Sequence, residues 1–177
     1  MKRLSRQFLV FALSTVFWIL LDQLTKYLAI RYLKGELPVS VVNGFWDLCY
    51  VENRGAAWGM MQGQQLFLRL FSIAAIVWVF WNLRKLFFRL WGGAFIASLL
   101  VSGIVGNLID RIFRNGGVVD FLDFHWGSSH FPAFNVADSC ICVGFFLVLI
   151  TQWRLKPKNA QTEDLREQDG SHEKSAE

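Results

Sequence analysis

The sequence predicts an all-α integral membrane protein with four transmembrane helices, on three observations. The 177 residues are 54% apolar and 16% aromatic, above the roughly 45–50% apolar content of soluble chains. The apolar residues gather into four long blocks rather than scattering. Short clusters of Lys and Arg sit beside those blocks, so the net charge of +4 is a topology signal. A nucleic-acid binder would show a basic stripe with interleaved stacking aromatics, and none is present.

The first span is expected at residues 8–30, behind Lys2, Arg3 and Arg6. Its start resembles a secretory signal peptide. It lacks a small-residue cleavage site, however, and stays apolar to residue 30, so it reads as an uncleaved span. An outer loop of residues 31–65 follows, rich in Gly and Asn. The second span (66–83) and the third (90–113) are joined by a tight turn expected to hold Arg84, Lys85 and Arg89. A second outer loop, 114–135, contains the alternating stretch "VVDFLDF", which suggests short strands or turns at the membrane surface. The fourth span (136–153) leads to Arg154, Lys156 and Lys158. Each span suits a ~30 Å hydrocarbon core at ~1.5 Å per residue. The positive-inside rule puts both termini and the middle turn in the cytoplasm and the two longer loops outside. Residues 1–156 form one membrane domain, and the polar tail 157–177 is expected to be disordered. Cys49, Cys140 and Cys142 are spaced for neither a disulfide nor a metal site.

Polar residues interrupt the apolar blocks at related positions. Asp22, Thr25 and Lys26 share a helix face at i, i+3 and i+4, as do Asn107, Asp110 and Arg111. Asn135 is placed to cap the fourth helix three residues before Asp138. Counted from the cytoplasmic ends, Asp22, Asn107 and Asp138 lie ~21, ~26 and ~22 Å up their helices. Three helices therefore carry polar groups in one layer near the outer edge of the hydrocarbon, where ionisable residues default to a functional reading. Plainer readings exist for several of them. Asp22 and Lys26 can steady one helix as an i,i+4 pair, Arg111 can snorkel, and Asn107 can act as interhelical glue. His125 and His130 read as loop residues, and the Trp and Phe residues near span ends as interfacial belts.

Asp120 and Asp138 resist the plainer readings, since neither has an adjacent cation in sequence. If Asp120 folds back against Asp138, two carboxylates share one site and one of them keeps a proton. That arrangement lets water attack a peptide carbonyl without a covalent intermediate. A small proton- or ion-coupled transporter is the alternative, but it would spread polar groups through the full depth, and the inner halves of the spans are apolar. Neither a His-Glu-x-x-His nor a Gly-x-Ser-x-Gly motif is present.

The segments "DQLTKYLA", "NRGAAWG", "GNLIDR", "VVDF" and "FPAFNVAD", in that order, closely resemble lipoprotein signal peptidases, the signal peptidase II family. The resemblance covers about residues 22–150. Ser102 departs from it, standing where a second glycine is common. The resemblance implies an aspartyl endopeptidase of the bacterial inner membrane with its site on the periplasmic side. Such an enzyme cleaves a prolipoprotein before its diacylglyceryl-modified cysteine. It also implies a small β-like cradle on the outer face, membrane lipids as surroundings, no metal or cofactor, and inhibition by cyclic peptides of the globomycin type. By motif, Asp120 and Asp138 are the catalytic pair. Asp22, Asn53, Asn107, Asp110, Arg111, Asn135 and Ala137 support the site, and Lys26, Arg54 and Gly55 have less specific roles. Asn107, Asn135 and Arg111 could donate hydrogen bonds to the substrate backbone or to a developing oxyanion.

Overall fold

The structure, a computed structural model, describes residues 2–55, 60–89, 92–115 and 117–154. Four helices run in it: α1 (Lys2–Tyr32), α2 (Gln65–Arg89), α3 (Gly93–Phe113) and α4 (Val136–Arg154). All four are long and apolar enough to cross a membrane, with mean hydropathy of 1.7 to 1.9. They differ in how much they bury. The apolar window of α3 is 72% buried, against 11% for α1 and 22% for α2 and for α4. α3 is thus the central helix, and the others present Leu, Phe and Val outward, as on α1 at Leu13, Phe17 and Leu20. Apolar side chains facing hydrocarbon cost nothing there, so these helices are greasy on most sides.

Two expected boundaries move. Arg84, Lys85 and Arg89 belong to α2 rather than to a turn, because "NLRKLFFR" consists mostly of good helix formers. The connection to α3 shrinks to residues 90–92 and ends at Gly92 with φ +67°. The hairpin closes so tightly that a Cβ on Gly93 would lie 1.9 Å from the Leu86 carbonyl oxygen. Beside it, Phe11 of α1, Val79, Leu83 and Phe87 of α2 and Ala97 and Val101 of α3 make an entirely apolar cluster. The expectations for residues 155–177, for Leu90 and for the "AAWG" part of the second motif lie outside the described residues.

At the opposite end sits a four-stranded antiparallel sheet in the order β1 (Val39–Val42), β2 (Trp46–Asn53), β3 (Val118–Trp126), β4 (Ser129–His130). His125 and His130, expected in a loop, stand instead in β3 and β4 and pair across the ladder. Val119 and Phe121 of β3 pack on Ala29 of α1, which seats the sheet on the helix end. The β2–β3 register jumps between Leu48 and Val51 and then sets Val51 opposite Asp120. Such a bulge adds residues to one strand and re-aims the side chains beyond it. Phe134 closes the arrangement: its carbonyl accepts from the N–H groups of Phe121 and Leu122 at 3.0 and 2.9 Å. That bridge fixes the entry to α4 against β3 and brings Asn135 beside Asp120.

Candidate active site

The layer counted along the helices is assembled around one lysine. Lys26 is fully buried. Its Nζ lies 2.9 Å from Asp22 and 3.1 Å from Asp110 and donates to Asn107 Oδ1 at 2.9 Å. Removing a lysine from water costs several kcal/mol unless its charge is matched and its protons are placed. Here all three protons have partners on two helices. Asp22 does more than steady α1, because its Oδ1 accepts the N–H of Ala137 at 2.9 Å in the first turn of α4. Gly106 makes room for that reach: a Cβ there would lie 2.6 Å from Asp22 Oδ2 and 3.1 Å from the Ala137 methyl. Asp110 accepts the Val119 N–H at 3.1 Å, tying α3 to β3. Thr25 takes no part, its hydroxyl donating to Leu21 and Asp22 carbonyls within its own helix.

Asn135 joins the two candidate catalytic carboxylates. Its Nδ2 donates to Asp120 Oδ1 at 2.7 Å. Its Oδ1 accepts the Asp138 N–H at 2.9 Å, while its own N–H donates to Asp138 Oδ2 at 3.2 Å. This reciprocal cap at the start of α4 follows the capping-box pattern, with Asp in the third position. Asn107 Nδ2 donates to Asp138 Oδ1 at 2.7 Å. On the β2 side, Asn53 Nδ2 donates to Asp120 Oδ2 at 3.1 Å, and Asn53 Oδ1 accepts the Gly55 N–H at 2.9 Å. The amides of Asn107 and Asn135 thus each donate to one of the carboxylates, and of the three expected donors to substrate Arg111 alone does not. Arg111 fits that role better. It donates to the Gly55 carbonyl at 3.3 Å, and its buried Nε has no hydrogen-bond partner among the described residues.

Burial and the neighbouring Asp138 charge raise Asp120 from its ordinary 3.8 to about 7, against the pull of Asn53, Asn135 and Lys26. Cys49 of β2 is no nucleophile, since burial and then the charges of Asp123, Asp120 and Asp47 push its thiol up to about 11. Arg54 leaves the site and pairs with Glu52 at 3.0 Å, largely exposed. Among the described residues, no group of three or more His, Cys, Asp or Glu is placed to hold a metal ion. Two participants escaped the sequence reading. Gln23 donates to Asp22, the Gly106 carbonyl and Asp110 at 3.1 to 3.2 Å, and Arg114 holds Asp110 at 3.0 Å. Arg114 is at i+4 from Asp110, a spacing that offered a signal; Gln23 offered none.

Residues 14–154 match the family model described as signal peptidase (SPase) II. The chain belongs to the signal peptidase II family. It is therefore an aspartic peptidase by kinship. A lipoprotein signal peptidase of Syntrophotalea carbinolica is 44% identical over 151 residues, covering 84% of this chain and 93% of that one. Another, from Thermodesulfovibrio yellowstonii, is 42% identical over 138 residues, covering 77% and 89%. Among solved structures, a bacterial membrane enzyme determined by the in meso method superposes with a TM-score of 0.73. It is 30% identical, and the match covers 84% of this chain and 92% of that one. The fold of the signal peptidase II chain is thus that of a membrane enzyme.

Proposed function

We propose that the protein cleaves prolipoproteins immediately before the diacylglyceryl-modified cysteine, with Asp120 and Asp138 as the catalytic pair. The observation that carries this reading is Asn135, which hydrogen-bonds both carboxylates at once. The relatives' common name, lipoprotein signal peptidase, supports the substrate class. The substrate's signal sequence is itself an apolar helix and its acyl chains stay in lipid, so the scissile bond arrives at the depth of this polar layer.

The environments divide the labour. Asp138 accepts N–H donors on both oxygens in the first turn of α4. Burial drives Asp120 of β3 toward the acid, and in the proposed pair it is the proton donor. In the proposed cycle a water oxygen attacks the scissile carbonyl carbon while its proton passes to Asp138. Asp120 gives its proton to the carbonyl oxygen, forming a neutral gem-diol. The C–N bond then breaks as Asp138 protonates the leaving amine and a diol hydroxyl returns its proton to Asp120. Arg111 is the donor left to hold the substrate backbone. Asp22, Lys26, Asn53, Gly55, Asn107, Asp110, Asn135 and Ala137 fix the geometry, while the Glu52 pairing leaves Arg54 a role at the rim. The enzyme works in the bacterial inner membrane with its site outward, needs no metal, and binds cyclic peptides of the globomycin type.

The test is cleavage of a diacylglyceryl-modified prolipoprotein by purified protein in detergent. Asp120→Asn and Asp138→Asn are each expected to abolish turnover while keeping the melting transition. Full activity in either variant refutes the pair, and loss of wild-type activity with a chelator refutes the metal-free mechanism.

A further inference from the structure

Val119 follows the alternation of a strand, so it faces the side of β3 opposite to its neighbour Asp120. On that side a cavity of about 240 Å³ lies between the sheet and the outer ends of α1 and α3. Ile30, Lys34, Glu52, Arg54, Arg114 and Asn115 contribute to its wall. Three cations and one acid is an unusual balance at this end of the molecule, where the positive-inside rule gives basic residues no topological purpose. Glu52 is spent on Arg54 at 3.0 Å and rests on the bare backbone of Gly117, where a Cβ would meet its Cγ at 2.3 Å. Arg114 gives only its Nε to Asp110, at 3.0 Å, and Asp110 is also matched by Lys26. Among the described residues the terminal guanidinium nitrogens of Arg114 have no acceptor. Lys34 stands 5.5 Å above the Tyr50 ring and has no acidic partner among the described residues.

The surroundings say what kind of anion would fill the space. Ile30 ends the apolar face of α1, and exposed Tyr27, Leu37 and Phe113 stand next to the cavity residues along the chain, at 58, 86 and 79% exposure. Cations therefore sit at the level where hydrocarbon gives way to headgroups, with apolar side chains beside them for acyl tails. We propose that this cavity binds the phosphodiester of an anionic phospholipid, with Lys34 and Arg114 on the phosphate and the Asn115 amide on the headgroup. A free phosphate ion shares the charge but has no use for the apolar border. The inference needs only the membrane placement and stands apart from the peptidase mechanism. It nonetheless reaches the site, because Asp110 holds Arg114 with one oxygen and the N–H of Val119 with the other.

The experiment is native mass spectrometry of the full-length protein from mixed micelles holding equal phosphatidylglycerol and phosphatidylcholine. Phosphatidylglycerol is expected to be retained several-fold over phosphatidylcholine. Lys34→Gln should cut that preference about fivefold, the weight of one cation at an anionic lipid surface, and Lys34→Arg should keep it. Lys34 is exposed, so Lys34→Gln should melt with the wild type in phosphatidylcholine micelles. Equal retention of the two lipids, or an unchanged preference in Lys34→Gln, overturns the site. Displacement of the lipid by excess inorganic phosphate or by a soluble acidic peptide overturns the assignment to a phospholipid.

Discussion

At the scale of single residues, the two aspartates differ through what surrounds them. Asp120, raised to about 7 chiefly by burial, is the acid of the proposed pair, so turnover should fall as pH rises through about 7. The Asn53 hydrogen bond favours the ionised form of Asp120. Removing it in Asn53→Ala should therefore move that alkaline limb to higher pH, read from kcat against pH in one detergent. An unmoved limb would mean that another group sets it. The same shift has a stability sign. Folded Asp120 holds its proton more tightly than an unfolded carboxyl at 3.8, so its contribution is least costly below about pH 4. Stability is then lost as pH rises from there to about 7. The wild type should lose stability across that window relative to Asp120→Asn, by at most the ~4 kcal/mol that such a pKa difference represents, read as a falling melting temperature. A constant gap between the two proteins would contradict the assignment.

At the scale of elements, the four helices were legible because hydrocarbon demands long apolar runs, and the cap at Asn135 was legible from a three-residue spacing. The sheet was only hinted at by "VVDFLDF", since strands that pair across sixty residues leave no local period. His125 and His130 pair in a hairpin only five residues wide, where the two-residue β4 is too short to show an alternation. The turn at Arg84, Lys85 and Arg89 was misplaced because charge suggested a break that helix propensity refuses. Contacts that need the absence of a side chain were also hidden. A Cβ on Gly103 would lie 2.4 Å from the Ala137 carbonyl oxygen and 2.7 Å from Ile141 Cγ1, so α3 and α4 touch through it. Gly103→Ala must push α4 away and carry Asn135 and Asp138 with it. The expected cost is about 1–3 kcal/mol in detergent melting, together with loss of turnover. Gly144→Ala meets the Leu100 side chain at 3.0 Å, an end that can turn aside, and should cost clearly less. Equal effects would argue that the α3–α4 contact is not tight.

At the scale of the whole molecule, the polar layer is close to electrically neutral once a single proton is counted. Asp22, Asp110, Asp120 and Asp138 face Lys26, Arg111 and Arg114, four acids against three bases. A proton on Asp120 makes the balance three against three. That balance lets so many charges sit at the edge of a low-dielectric medium, and it gives the proton of the proposed pair a structural reason to stay. Lys26 is the keystone, because Asp22 through Ala137 reaches α4 and Asp110 through Val119 reaches the sheet. Lys26→Met should destabilise the fold by about 3–5 kcal/mol, leaving buried Asp22 without its cation and Asp110 with Arg114 alone. Pairing it with Asp22→Asn restores neutrality and keeps an oxygen for the Ala137 N–H, so the double variant should melt above the single one. If the layer were instead a set of independent hydrogen bonds, the second change would only add damage. The double variant would then melt lower, and charge balance would be the wrong account of what holds the site together.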